Sequence, residues 1–241
     1  MNVTGQSILV IGMSHVNAIC GSLDGDEDQD IQVTNLNKSP HIFDRRRNEI
    51  DCSGFGDVQP NYIFLSLHGN FHNVISLIEN PVPFSVGDTE QGHVPGDDAI
   101  DRVFIPEDMM RAFVEAELQA TTFIHFPKLV AHFAAAKIFH LCAPPPSGDQ
   151  AHIRNFPGVF KDQLHLRVSP LPLRLKLYRI QCELFRQACD QHGISFVDVP
   201  DAALSDSGAL KRDYWNDDPT HGNLQYGRLV IDQMKAIAEV S

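Results

Sequence analysis

The chain has 241 residues and no apolar run approaching the roughly 20 that a bilayer span requires. Met1 to Gln6 are polar without a basic start, and the first apolar run is four residues long, so no secretory leader is expected. Basic residues are scarce, 19 Lys and Arg against 31 Asp and Glu, for a formal net charge of −12. A surface of that sign repels phosphate backbones and anionic lipid, so neither nucleic acid nor a membrane is an expected partner. The five cysteines, Cys20, Cys52, Cys142, Cys182 and Cys189, are an odd set without metal-finger spacing. They read as buried reduced thiols and not as a disulfide framework. Together these absences point to cytoplasmic residence. No Ser/Gly-rich linker, dividing charge block or internal repeat interrupts the chain, so residues 1–241 read as one domain. A Gly-x-Gly-x-x-Gly turn is also missing, since Gly12 to Asn17 holds a single glycine, and no cofactor is expected.

The apolar segments that are present are short and β-rich. Ile8-Leu9-Val10-Ile11 reads as a strand buried on both faces. Tyr62-Ile63-Phe64-Leu65, Lys137-Ile138-Phe139-His140-Leu141-Cys142 and Ile194-Ser195-Phe196-Val197-Asp198-Val199 also read as strands. Helical segments alternate with them, notably 171–192 closed by Gly193, and 106–133 with a break at Phe126-Pro127. That alternation predicts an α/β fold, a three-layer α/β/α domain around a mainly parallel, doubly wound sheet.

Three places carry chemistry. Asp218-Pro219-Thr220-His221 sets a carboxylate and an imidazole three residues apart, ahead of the last helix. A histidine base needs such a partner to fix its tautomer and stabilise the imidazolium. Ser14 follows the first strand at a strand–turn–helix junction, a place suited to a nucleophile and equally to a serine that caps the helix. Gly69-Asn70 ends the second strand of the set, where an amide can donate to an oxyanion or can simply satisfy a turn.

This ordered set resembles the SGNH hydrolases, the GDSL esterase family, from Ile8 to the C-terminal helix. The resemblance implies Ser14 as nucleophile, His221 as base, Asp218 as its orienting acid and Asn70 as oxyanion donor, with Gly69, His15 and His68 at the binding site. It implies ester hydrolysis, or acyl transfer on the same triad, with a small-molecule or glycan ester as substrate. An inactive binding protein on the same scaffold stays open beside these. The first block reads Gly12-Met13-Ser14-His15 where the family has Gly-Asp-Ser, and no glycine follows Val33-Thr34-Asn35-Leu36-Asn37 to supply the second-block donor. Gly54 and Gly56 come later.

Two segments, near 71–101 and 144–172, show no strong periodicity and read as irregular excursions from the active-site edge. His152, Arg154, His165 and Arg167 in the second read mostly as solvated loop residues. The acidic run Asp24-Gly25-Asp26-Glu27-Asp28-Gln29-Asp30 reads as a solvated, mobile loop, because it lacks the full calcium-loop pattern. His68 and His72 have a zinc-compatible spacing only on a shared helix, which the turn between them opposes, so no metal is expected. The oligomeric state is not set by the sequence.

Overall fold

The structure, a computed structural model, describes residues 7–88 and 101–240. Its frame is a five-stranded parallel sheet of β1 (Ile8–Gly12), β2 (Ile31–Asn35), β5 (Tyr62–Ser66), β8 (Lys137–Leu141) and β9 (Ser195–Val197), in the order β2-β1-β5-β8-β9. Every strand in β1 and β5 is buried from end to end, the condition for a parallel sheet covered on both faces. Alternate residues serve opposite cores. Leu9, Ile11, Ile63 and Leu65 face one way, and Ile8, Val10, Tyr62 and Phe64 the other.

The helices divide accordingly. Against the first face lie α3 (Glu107–Thr121), α4 (Phe126–His132) and α6 (Leu171–Gln191), through Val114, Leu118, Phe126, Leu129, Leu177 and Leu184. Against the second lie α1 (Val16–Ser22) and α7 (Leu224–Val240), through Val16, Ile19, Val230, Ile231 and Met234. The three-layer α/β/α architecture expected from the sequence is the one observed. In such a sheet the chain reverses its winding between β1 and β5, and ligands bind outside the carboxyl ends of those strands.

Both segments expected to be irregular hold regular pieces. After β5 come α2 (Phe71–Ser76) and a small parallel pair, β6 (Phe84–Gly87) with β7 (Val103–Pro106). Residues 89–100 of that excursion lie outside the described residues. The second contains α5 (Gln150–Asn155), whose start Asp149 caps by accepting from the N–H groups of Ala151 and His152. Arg154 is exposed, as expected, and its guanidinium also donates to the carbonyls of Leu164 and Leu166. These elements are too short for periodicity to reveal them. An antiparallel pair of two-residue strands, β3 (Phe43–Asp44) and β4 (Glu49–Ile50), escapes the sequence for the same reason.

Three further expectations are corrected. The break between α3 and α4 falls at Thr122, and Pro127 sits in the first turn of α4, where its missing N–H costs nothing. Asp28 in the acidic run is buried and not solvated: Arg228 and Lys235 of α7 both reach its carboxylate, at 2.7 and 2.5 Å. Of the cysteines only Cys189 is fully buried, while Cys20 is exposed on α1.

Candidate active site

The Asp218–His221 loop is a closed unit. Trp215 and Gly222 bridge antiparallel across its neck. Asp218 Oδ1 accepts from Thr220 N at 2.8 Å, His221 N at 2.9 Å and His221 Nδ1 at 2.9 Å, while Oδ2 accepts from Asn216 Nδ2 at 2.8 Å. Burial alone would raise this carboxyl, but the bonds from His221, Thr220 and Asn216 hold it well below the usual carboxylate range. An ionised carboxylate can only accept, so Nδ1 donates to it and Nε2 is the nitrogen turned away from the carboxylate. That nitrogen is buried and has no hydrogen-bond partner. The sequence spacing identified Asp218 and His221; it gave no sign of Asn216 and Thr220, which complete the carboxylate's shell.

Ser14 and His221 line one cavity of about 300 Å³, together with His15, Asn17, Asn216 and Asp218. The two ends of the chain therefore meet. The bond from Ser14 Oγ to His221 Nε2 is not made, since that nitrogen has no partner. Catalytic hydrogen bonds are often long without ligand and close on binding. Nor does the Ser14 side chain cap a helix: His15 holds the N-cap position of α1, which starts with no side-chain cap.

His15 is instead the group in contact with His221. Their ring centroids are 4.8 Å apart with planes tilted by 49°. Burial, with His221 beside it, pushes the His15 pKa down to about 3, so this imidazole is neutral near pH 7. Its other side rests on Gly69. A β-carbon at Gly69 would stand 3.3 Å from His15 Nε2 and 2.4 Å from the Ala143 β-carbon, so only glycine lets these segments approach.

The turn carrying Gly69 and Asn70 is held from below. Gln181 of α6, fully buried, donates its amide to Gly69 O at 2.7 Å and accepts from His72 N at 2.9 Å. Asn73 Nδ2 donates to Asn70 Oδ1 at 2.8 Å, which fixes the Asn70 amide with its own N–H₂ left for another acceptor. The three-residue spacing on α2 was a readable signal for Asn73; Gln181, more than a hundred residues away, left none. Asn70 starts α2 without capping it. Gly69, Asn70 and His68 do not line the Ser14 cavity directly, and Gly69 reaches it through His15. His68 adopts a left-handed backbone, φ 41°, and its ring points to Phe43 at 6.4 Å. His72 meets Tyr178 edge-on at 5.1 Å. Among the described residues no group of three His, Cys, Asp or Glu is placed to hold a metal.

The register sets Gly12 between Ser66 on β5 and Asn35 on β2. Asn35 occupies the edge where the second-block glycine was sought, and its Nδ2 donates to Asn17 Oδ1 at 2.8 Å. Gly54 packs near the His41 carbonyl, and neither it nor Gly56 lines the cavity.

No family model and no curated protein matches the sequence. Solved structures do. The periplasmic domain of a lipopolysaccharide acetyltransferase from Salmonella ser. Paratyphi A superposes with TM-score 0.52 at 13% identity, over 96% of this chain and 82% of that one. A candidate acylhydrolase from Bacteroides fragilis gives 0.51 at 10%, over 99% and 88%. A candidate SGNH hydrolase from Slackia heliotrinireducens gives 0.50 at 13%, over 97% of both chains. By its architecture this chain has an SGNH hydrolase-like fold. Among the described residues no helix is long and apolar enough to cross a membrane.

Proposed function

We propose that this protein is a serine ester hydrolase working through Ser14, His221 and Asp218. The observation that carries the reading is the 2.9 Å contact of Asp218 with His221 Nδ1, which leaves an unpaired Nε2 in the cavity that Ser14 also lines. In the proposed cycle Ser14 Oγ attacks the acyl carbon while His221 Nε2 takes its proton. The Ser14 N–H and the Asn70 amide hold the oxyanion. His221 then protonates the leaving alcohol, and water repeats the sequence on the acyl-enzyme. His15 and Gly69 form the wall between base and oxyanion donor, and His68 supports the backbone turn that leads to them. No cofactor or metal takes part.

The cavity's size argues for a small acyl group, and its side chains include no Lys or Arg to favour an anionic one. A small-molecule or carbohydrate O-acyl ester fits that description. Cytoplasmic residence is proposed on the five unbridged cysteines. Acyl transfer to a sugar is the sister reading, supported by the fold shared with an acetyltransferase domain. An inactive binding protein is the competing one, supported by His221 contacting His15 where a bond from Ser14 is sought.

Turnover of p-nitrophenyl acetate by the purified chain tests the proposal. Hydrolysis should fall off from acetate to octanoate and vanish in Ser14→Ala with the fold intact. Equal rates for wild type and Ser14→Ala would remove Ser14 from the chemistry.

A further inference from the structure

Two thiols that the proposed mechanism does not use are brought face to face behind the Gly69–Asn70 turn. Cys142 follows the last residue of β8, with its backbone pinned by an N–H bond to Val197 O at 2.8 Å. Cys182 lies in α6, next to Gln181. Their sulfur atoms are 3.3 Å apart, about 1.2 Å more than an S–S bond, and both residues are partly open to solvent. Tyr178 Oη lies 3.2 Å from Cys142 Sγ while donating to Ala143 O at 2.8 Å. The other three cysteines are not in such contact: Cys189 is buried, Cys52 lies near the Lys128 carbonyl and Cys20 is exposed.

We infer that Cys142 and Cys182 are an oxidation site that takes a hydroperoxide and forms an intramolecular disulfide between β8 and α6. Cys142 attacks one peroxide oxygen, and the O–O bond breaks. The departing oxygen leaves as hydroxide or alkoxide and takes up the thiol proton, giving water or alcohol. Cys142 is then a sulfenic acid, oxidised by two electrons as the peroxide is reduced by two. Cys182 sulfur attacks Cys142 sulfur, the S–O bond breaks, and hydroxide leaves with the Cys182 proton as water. The order of attack follows from the surroundings. The contact with Cys142 and burial push the Cys182 thiol up, which disfavours it as the first attacker; its sulfur enters in the second step, where the Cys142 sulfur is already held 3.3 Å away. The charged groups facing the pair are Arg186 and its partner Asp198, which lie 2.6 Å apart.

The site sits where a cross-link touches the proposed chemistry. Ala143, beside Cys142, packs on Gly69, and Gln181, beside Cys182, holds the Gly69 carbonyl. The disulfide therefore ties together the two supports of the turn that presents Asn70. The bond itself depends on geometry alone and is tested without any assay of ester cleavage.

The whole chain is treated with hydrogen peroxide, quenched, alkylated with iodoacetamide and mapped without reduction. The expected result is one peptide pair joined through Cys142 and Cys182, lighter by two hydrogens, reversed by dithiothreitol, and with a higher Tm than the reduced chain. Dimedone should trap a sulfenic acid at Cys142 in Cys182→Ser and at neither position in Cys142→Ser. Exposed Cys20 is the internal control. If peroxide oxidises Cys20 while Cys142 and Cys182 of the wild type both remain alkylated, or if the bridge joins any other pair, the inference is wrong.

Discussion

Gly227 of α7 lies directly against the backbone of Ala18 in α1: a β-carbon there would stand 2.2 Å from the Ala18 carbonyl oxygen. This approach seats the helix following His221 on the helix following Ser14, so it brings the two chain ends to one cavity. Ser22 Oγ lies 2.7 Å from Ala18 O and 2.5 Å from Leu224 O along the same seam, its one hydrogen shared between the two carbonyls.

Gly227→Ala should therefore force the helices apart. Overpacking of this kind costs about 1–3 kcal/mol. Urea unfolding should show a lower midpoint with an unchanged slope, and ester turnover should fall although no residue lining the cavity has changed. A midpoint equal to wild type would mean the seam yields freely.

Asp218→Asn keeps the shape of the loop but replaces an acceptor by a group that can also donate, so His221 loses its preferred tautomer. A loss of about 10³–10⁴ in kcat with little change in KM is expected. Steady-state kinetics on p-nitrophenyl acetate read this directly, and a tenfold loss or less would leave Asp218 a structural role only.

Asn70→Ala should lower kcat by about 10²–10³ if its amide meets the oxyanion. Asn73→Ala, acting through Asn70, should give a smaller loss in kcat with KM nearly constant. A rise in KM at constant kcat in both variants would move Asn70 from the transition state to ordinary substrate binding.

The legible part of this fold was the part with period and punctuation. Strands β1, β5 and β8 announced themselves as short buried apolar runs, and α6 as a long helix stopped by Gly193. Asp218 and His221 were readable because they are neighbours in the chain that bond to each other. What stayed hidden depends on contacts across the chain. Asp28 looks like one more solvated acid until Arg228 and Lys235, two hundred residues later, fold over it. Gln181 is an ordinary helix residue until it meets Gly69. The position of His15 against His221 arises from β1 and the last loop meeting, which no local pattern encodes.

Burial also sets the acid sensitivity of the fold. His15 and His140 are pushed down to about 3, and His68 and His72 to about 4, in each case chiefly by loss of solvent. The folded chain thus keeps them neutral while the unfolded chain protonates them near pH 6.5. Their stability contribution is complete above that pH and is lost as pH falls toward 4, at up to about 1.4 kcal/mol per pH unit for each group. His140 lies in β8, outside the proposed machinery, with Leu67 N donating to its Nε2 at 3.4 Å. In His140→Gln the decline of unfolding free energy between pH 6.5 and 4 should be shallower by about that amount. A slope unchanged from wild type would show that His140 is not held neutral.

The most direct measurement is intact-mass and peptide mapping after reaction with a fluorophosphonate, which phosphonylates an activated serine. A single adduct on Ser14, absent when His221 is replaced by Ala, is the predicted result. An unmodified Ser14 in folded wild-type protein would contradict the account and leave a binding protein on a hydrolase scaffold.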